Sequence, residues 1–341
     1  MTDKKRIEYI DLAKGICIIL VVLFHVVPEI GKGSFLVNLR MPLYFCLSGL
    51  FFKTYSGINE FTIKKIDKLI IPFMAWYLIS YTIYYLRVFL IGYPEHIFRL
   101  TDLFLEKEFY NGSLWFLLSL FWCNLFFYLV HNVSKNEWIQ GSLILILASL
   151  GWILSYLEMD NFLYLGTSLT CLPFFYLGRQ MFTKNIISSD KNLRRDILLF
   201  GISFLILISV IWLPIEKPEM LFYLNLLSAG NPITLYVSGI TLITCLLIVC
   251  KYIKRIPGVS YLGRFSIIVL VTHGLLNNVM TRSIEHFTGM DMGHTKAHLL
   301  LFMAIIGLMF VIIPLGKKFL PHICAQKPVI ENIKVKKEAY L

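Results

Sequence analysis

Charge is scarce in this chain: of its 341 residues, 16% are charged and 57% are hydrophobic. No segment is polar enough, over a sufficient length, to fold as a water-soluble domain with its own core. That excludes an ordinary soluble enzyme and leaves a polytopic membrane protein, an all-α helical bundle. Acidic residues are the scarcer sign, 21 against 32 basic, for a net charge of +11. Closely spaced cysteine pairs are missing too. The seven cysteines form no C-x-x-C and six lie in apolar runs, so they read as small core residues, neither disulfides nor metal ligands. There is no G-x-S-x-G elbow, P-loop or H-E-x-x-H, no low-complexity segment and no clear internal repeat. His294 and His298 share helical spacing without a third ligand nearby, so no metal is expected.

What is present is a series of apolar runs of membrane-spanning length, roughly 20 residues each. Ten are expected, at 9–28, 36–53, 70–92, 113–131, 138–157, 162–182, 196–215, 231–253, 262–280 and 296–320. Residues 1–320 then form one integral membrane domain, and 321–341 a polar, lysine-bearing tail expected to be partly disordered. An even number of spans puts both termini on one side. That side collects 24 of the 32 basic residues and a net +14, while the other carries −3. Cytoplasmic loops hold the lysine and arginine excess, so both termini are expected in the cytoplasm. The basic surplus is thereby a topology signal, and nucleic acid is not needed to explain it. Ile97, Leu100, Leu103 and Phe104 recur at helical spacing in the loop 93–112, which predicts a helix lying on the membrane surface.

The first span, KGICIILVVLFHV, opens on Lys14 and closes near His25. Eleven helical residues turn through about 1100°, roughly 20° past three full turns, and rise about 16 Å. The two side chains therefore share one face, with Asp11 a turn below Lys14 and placed to pair with it. A polar stripe on an apolar helix faces the bundle interior or a water-filled cavity. Histidine can take a proton from a hydroxyl near neutral pH, and a lysine at the mouth can hold an anion. The blander alternatives are a lysine that snorkels to the interface and a histidine bonded to a neighbouring helix.

Here the chain resembles the acyltransferase 3 family of integral membrane O-acyltransferases. DLAKGICIILVVLFH matches its first-helix pattern of a basic residue, ten residues and a histidine, and is closest to the fucose 4-O-acetylase-like branch. MPLYFCLSGLFFK, KKIDKLIIPF, NGSLWFLLSL and YLGRFSIIVLVTH resemble further family segments, in order, along nearly the whole chain. The related branch usually has histidine before MPL; this chain has Arg40.

The resemblance implies transfer of an acyl group, usually acetyl from acetyl-CoA, to a hydroxyl of a cell-surface glycan or its lipid-linked precursor. The setting it implies is the bacterial cytoplasmic membrane. His25 would be the catalytic base or a transient acyl carrier, and Lys14, Lys64, Lys65 and Lys68 would hold the phosphates of CoA. Arg40, Trp115 and His273 are the candidate acceptor contacts. Each has a structural alternative: Arg40 snorkelling to the surface, Trp115 in an interfacial belt, and His273 with Asn277 as interhelical hydrogen-bonding groups. Ser48-Gly49 would permit close helix packing. A transporter or flippase for a lipid-linked sugar is the main competing reading, and a membrane sensor or scaffold the third.

Overall fold

The computed structural model describes residues 7–27, 30, 36–92, 98–103, 109–186, 192–212, 231–288 and 294–330. A helix stands at each of the ten expected segments: α1 (Glu8–Val26), α2 (Val37–Leu50), α4 (Ile71–Ile91), α5 (Trp115–Val133), α6 (Glu137–Tyr156), α7 (Leu165–Thr183), α8 (Leu193–Trp212), α9 (Pro232–Ile253), α11 (Ser266–Thr288) and α12 (Thr295–Phe319). Two short helices complete the set, α3 (Ile58–Lys65) and α10 (Pro257–Arg264), and no strand occurs among the described residues.

Seven of these helices, α4 taken together with the turns that lead into it, are long and apolar enough to cross a membrane. The other three expected spans fall outside that set. The α2 helix has only 14 residues; α8 begins with Arg194, Arg195 and Asp196; and α7 holds small and polar groups such as Thr167, Ser168 and Thr170, all fully buried. Large apolar side chains such as Leu145, Leu300, Met303 and Val311 point outward, as lipid-facing positions should.

Close crossings are set by glycine, as is common where helices pack without a hydrophobic driving force. A Cβ on Gly49 of α2 would run into the Phe175 carbonyl of α7, and one on Gly178 of α7 into the Cys46 carbonyl of α2. Gly15 of α1 and Gly263 of α10 meet in the same way. The packing expected of Ser48-Gly49 thus belongs to the glycine.

The entry to α4 is irregular for a chemical reason. Pro72 has no N–H to offer the carbonyl four residues back, and Ile66–Ile70 just before it is wound as a π-turn. Lys65, Asp67 and Lys68 stand at this widened stretch. The Asp67 carboxylate accepts the backbone N–H of Val329 (2.7 Å) and of Ile330 (3.2 Å), and the Trp76 indole donates to the Ile323 carbonyl (3.1 Å). Residues 321–330 of the tail therefore pack against the bundle. In the expected surface helix, Leu100–Leu103 form a single 3-10 turn, and residues 93–97 and 104–108 lie outside the described residues.

Candidate active site

A cavity of about 510 Å³ opens between α1, α2, α5, α11 and the π-turn. Lys14, Lys53, Lys65 and Lys68 line it, and among the described residues no aspartate or glutamate does. The rest of the wall is mostly apolar, with Leu47, Phe51, Phe116, Leu120 and Leu270 among its members. Besides the lysines, five polar side chains interrupt that wall: Tyr44, Ser48, Tyr55, Asn124 and Ser266. The Tyr44 hydroxyl donates to the Lys14 carbonyl (2.9 Å). The Asn124 amide donates to Ser48 Oγ (3.3 Å) and to the Leu120 carbonyl (2.7 Å). Its Oδ1 is enclosed without a hydrogen bond, an acceptor available to an amide or hydroxyl entering the cavity.

Lys14 and Ile18, one turn apart, both face this space. His25 lies seven residues beyond Ile18, so it continues the same face outside the cavity lining, which reaches Phe116, Leu117 and Leu270. His273 of α11 is three residues past Leu270, and Ser113 three before Phe116, so both stand about one helical turn beyond that end. The His25 and His273 rings are 5.2 Å apart, and the Asn277 amide donates to the His25 carbonyl (3.3 Å).

The His273 tautomer follows from its partners. Nδ1 lies 2.9 Å from the Val269 carbonyl, which can only accept, so Nδ1 carries the hydrogen. Nε2 then has a lone pair, and Ser113 Oγ at 3.1 Å donates to it. Asn111 fixes this corner, its amide donating to Ser80 Oγ (3.2 Å) and the Val271 carbonyl (2.9 Å). Gly274 lets the segment approach: a Cβ there would stand 2.9 Å from Asn111 Oδ1 and 3.1 Å from Ser113 Oγ.

The remaining candidates divide. Arg40 does not snorkel. It is 7% exposed, and its guanidinium sits 3.7 Å above the Phe24 ring, beside His25. Trp115 is buried, its ring tilted against Tyr164 (5.9 Å), and is no belt residue. Lys64 precedes the π-turn and does not line the cavity. Three features escaped the sequence reading: Lys53, the Ser48–Asn124 pair and Ser113. Lys53 carried a usable signal, as a basic residue at the end of α2 on the same expected side as Lys14. Among the described residues, no three histidine, cysteine, aspartate or glutamate side chains gather as a metal site.

The profile of a family described as an acyltransferase domain matches residues 7–317. No curated protein and no solved structure matches the chain.

Proposed function

The chain belongs to the acyltransferase 3 family and is an integral membrane acyltransferase, and on that premise we propose that it moves an acetyl group from acetyl-CoA to a hydroxyl of a cell-surface glycan or its lipid-linked precursor. The supporting observation is the cavity, with four lysines and, among the described residues, no carboxylate in its wall, and its apolar end one turn from His273 and Ser113. CoA offers complementary chemistry: a polyphosphate head for Lys14, Lys53, Lys65 and Lys68, and a long amide-bearing arm for the mostly apolar remainder of the cavity. The Asn124 Oδ1 could accept from an amide of that arm. The thioester then reaches the level of His25.

In this reading both termini are cytoplasmic, in a bacterial inner membrane, and the acceptor approaches from the other end of the bundle. His25 takes the proton of the acceptor hydroxyl as it attacks the thioester carbonyl, and the departing thiolate of CoA is protonated in turn. Arg40, Trp115 and His273 shape the acceptor side. Acetyl as the acyl group, CoA as the donor and a glycan as the acceptor all belong to this proposal.

The test uses purified protein and radiolabelled acetyl-CoA. His25→Ala should lower acetyl transfer or slow hydrolysis by at least about 100-fold, the lower range for a general base, while acetyl-CoA still binds. A parent protein that neither binds nor consumes acetyl-CoA, or a His25→Ala variant with unchanged turnover, would refute the assignment.

A further inference from the structure

At the end of the bundle far from the lysines, a second cationic site takes shape around Tyr110. Arg87 lies near the C-terminal end of α4, 19 residues beyond Lys68, or about 28 Å along a helix axis. Its guanidinium and the Tyr110 hydroxyl face each other, yet Arg87 Nε and the Tyr110 oxygen are both enclosed without a well-formed hydrogen bond. Among the described residues no carboxylate pairs with Arg87. Burial raises the Tyr110 pKa, and the nearby Arg87 and Arg282 act against that rise. Arg282, on α11, is exposed at the rim and 3.4 Å from Glu285. Tyr84 (5.0 Å between ring centroids) and Phe98 (5.5 Å) wall Tyr110 in.

This site is tied to the histidines. Gly274, Asn278 and Arg282 follow one another at four-residue spacing and so share a face of α11. Asn278 donates to the Tyr110 carbonyl (2.8 Å), while Gly274 packs on Ser113, the partner of His273. Only three residues separate Tyr110 from Ser113, at most about 10 Å of chain. Arg87 is half-buried with its Nε enclosed, and an arginine that meets no carboxylate among the described residues presents a planar fork of donors that fits a phosphate or carboxylate.

We propose that Arg87, with the Tyr110 hydroxyl and Arg282 at the rim, binds an anionic oxygen group, phosphate or carboxylate, carried by the acceptor about one sugar unit from the hydroxyl that is acylated. Ownership by the acceptor rests on the acyl-transfer reading; the existence of the anion site does not.

The experiment reads each arginine separately. Purified protein in nanodiscs of neutral phosphatidylcholine is treated with phenylglyoxal, and adducts at Arg87, Arg282, Arg99 and Arg179 are followed by peptide mass spectrometry. Inorganic pyrophosphate, glucuronate or glucose is added. At an anion concentration four times its dissociation constant, modification of Arg87 should slow about fivefold. Arg99 and Arg179 should slow far less, and glucose should do nothing. The stronger protector of the two anions identifies phosphate or carboxylate. Tyr110→Phe, which keeps the ring packing, should weaken the protection.

Three outcomes overturn the site: Arg87 unreactive before any anion is added, equal slowing at Arg99, or protection only when phosphatidylglycerol is included, which would make it a lipid headgroup contact. If the protein fails to transfer acetyl while Arg87 is still protected, the proposed function falls and the anion site stands.

Discussion

Two places in this bundle gather lysine charge, and they differ in what faces it. At one end of α9, Lys251 is buried (1% side-chain exposure) and reaches Asp196 of α8 at 2.6 Å, with the Tyr252 hydroxyl donating to the same carboxylate at 2.9 Å. That charge is neutralised inside the protein and ties two helices together. Lys14, Lys53, Lys65 and Lys68 instead line an open space in whose wall no acidic side chain stands among the described residues. A lysine locked to a carboxylate across two helices belongs to the scaffold; a cluster of lysines around an open space is suited to capturing something that is not part of the chain.

The sharpest way to break the contrast is to unpair the scaffold charge. Asp196→Ala strands Lys251 in a dry setting, and losing one partner of a buried pair costs about 3–5 kcal/mol. The protein should lose much of its thermal stability in detergent, read by a melting curve, while any folded fraction keeps its acetyl-CoA affinity. Replacing both partners, as Asp196→Leu with Lys251→Met, should restore most of the lost stability. If the single variant melts like the parent, the pair is not part of the scaffold.

Next comes the cavity. Lys14→Glu should weaken acetyl-CoA binding at least tenfold to a hundredfold, since one charge-assisted contact is worth about 1.5–3 kcal/mol and reversal adds repulsion. Lys14→Arg should keep most of the affinity, and the melting temperature should move little in either. Binding by calorimetry decides. Raising salt from 50 to 500 mM should weaken the parent's binding too, because charges at an open mouth are screened; salt-independent affinity would argue that the lysines do not meet phosphate. The smallest effect is expected at Lys64, outside the lining. Lys64→Gln should change affinity less than about threefold, as for a partly solvated charge away from the site, and Lys65→Gln distinctly more. Equal effects would enlarge the site beyond the cavity.

Much of the scaffold was legible in the sequence because long apolar runs in a chain with few charges have one stable use, and each run became a helix. The α1 face was legible for a similar reason: helical periodicity alone puts Lys14 and His25 on one side, and Lys14 with Ile18 does face the cavity. What escaped depends on which helices touch. Nothing local says that Asn124 of α5 meets Ser48 of α2, or that Ser113 meets His273, 160 residues away. An interfacial place stood as the alternative for Trp115 and Arg40 because hydropathy reports depth along a helix, not the direction in which a side chain points. The short α2 shows a second limit, since its 14 helical residues occupy a run that an apolar window extends to membrane length.

Asp67 holds the backbone of Val329 and Ile330, and Ala325, between that clasp and the last helix, is part of the cavity lining. The polypeptide beyond α12 is therefore part of the cavity wall, so the protein cannot be trimmed there as though the remainder were ornament. Ending the chain at Leu320 would take a piece out of the cavity wall and free the Asp67 carboxylate among the lysines. Purification handles and reporters belong at the other terminus, and a preparation nicked by proteolysis near residue 325 would differ from the intact protein in the wall of the cavity itself.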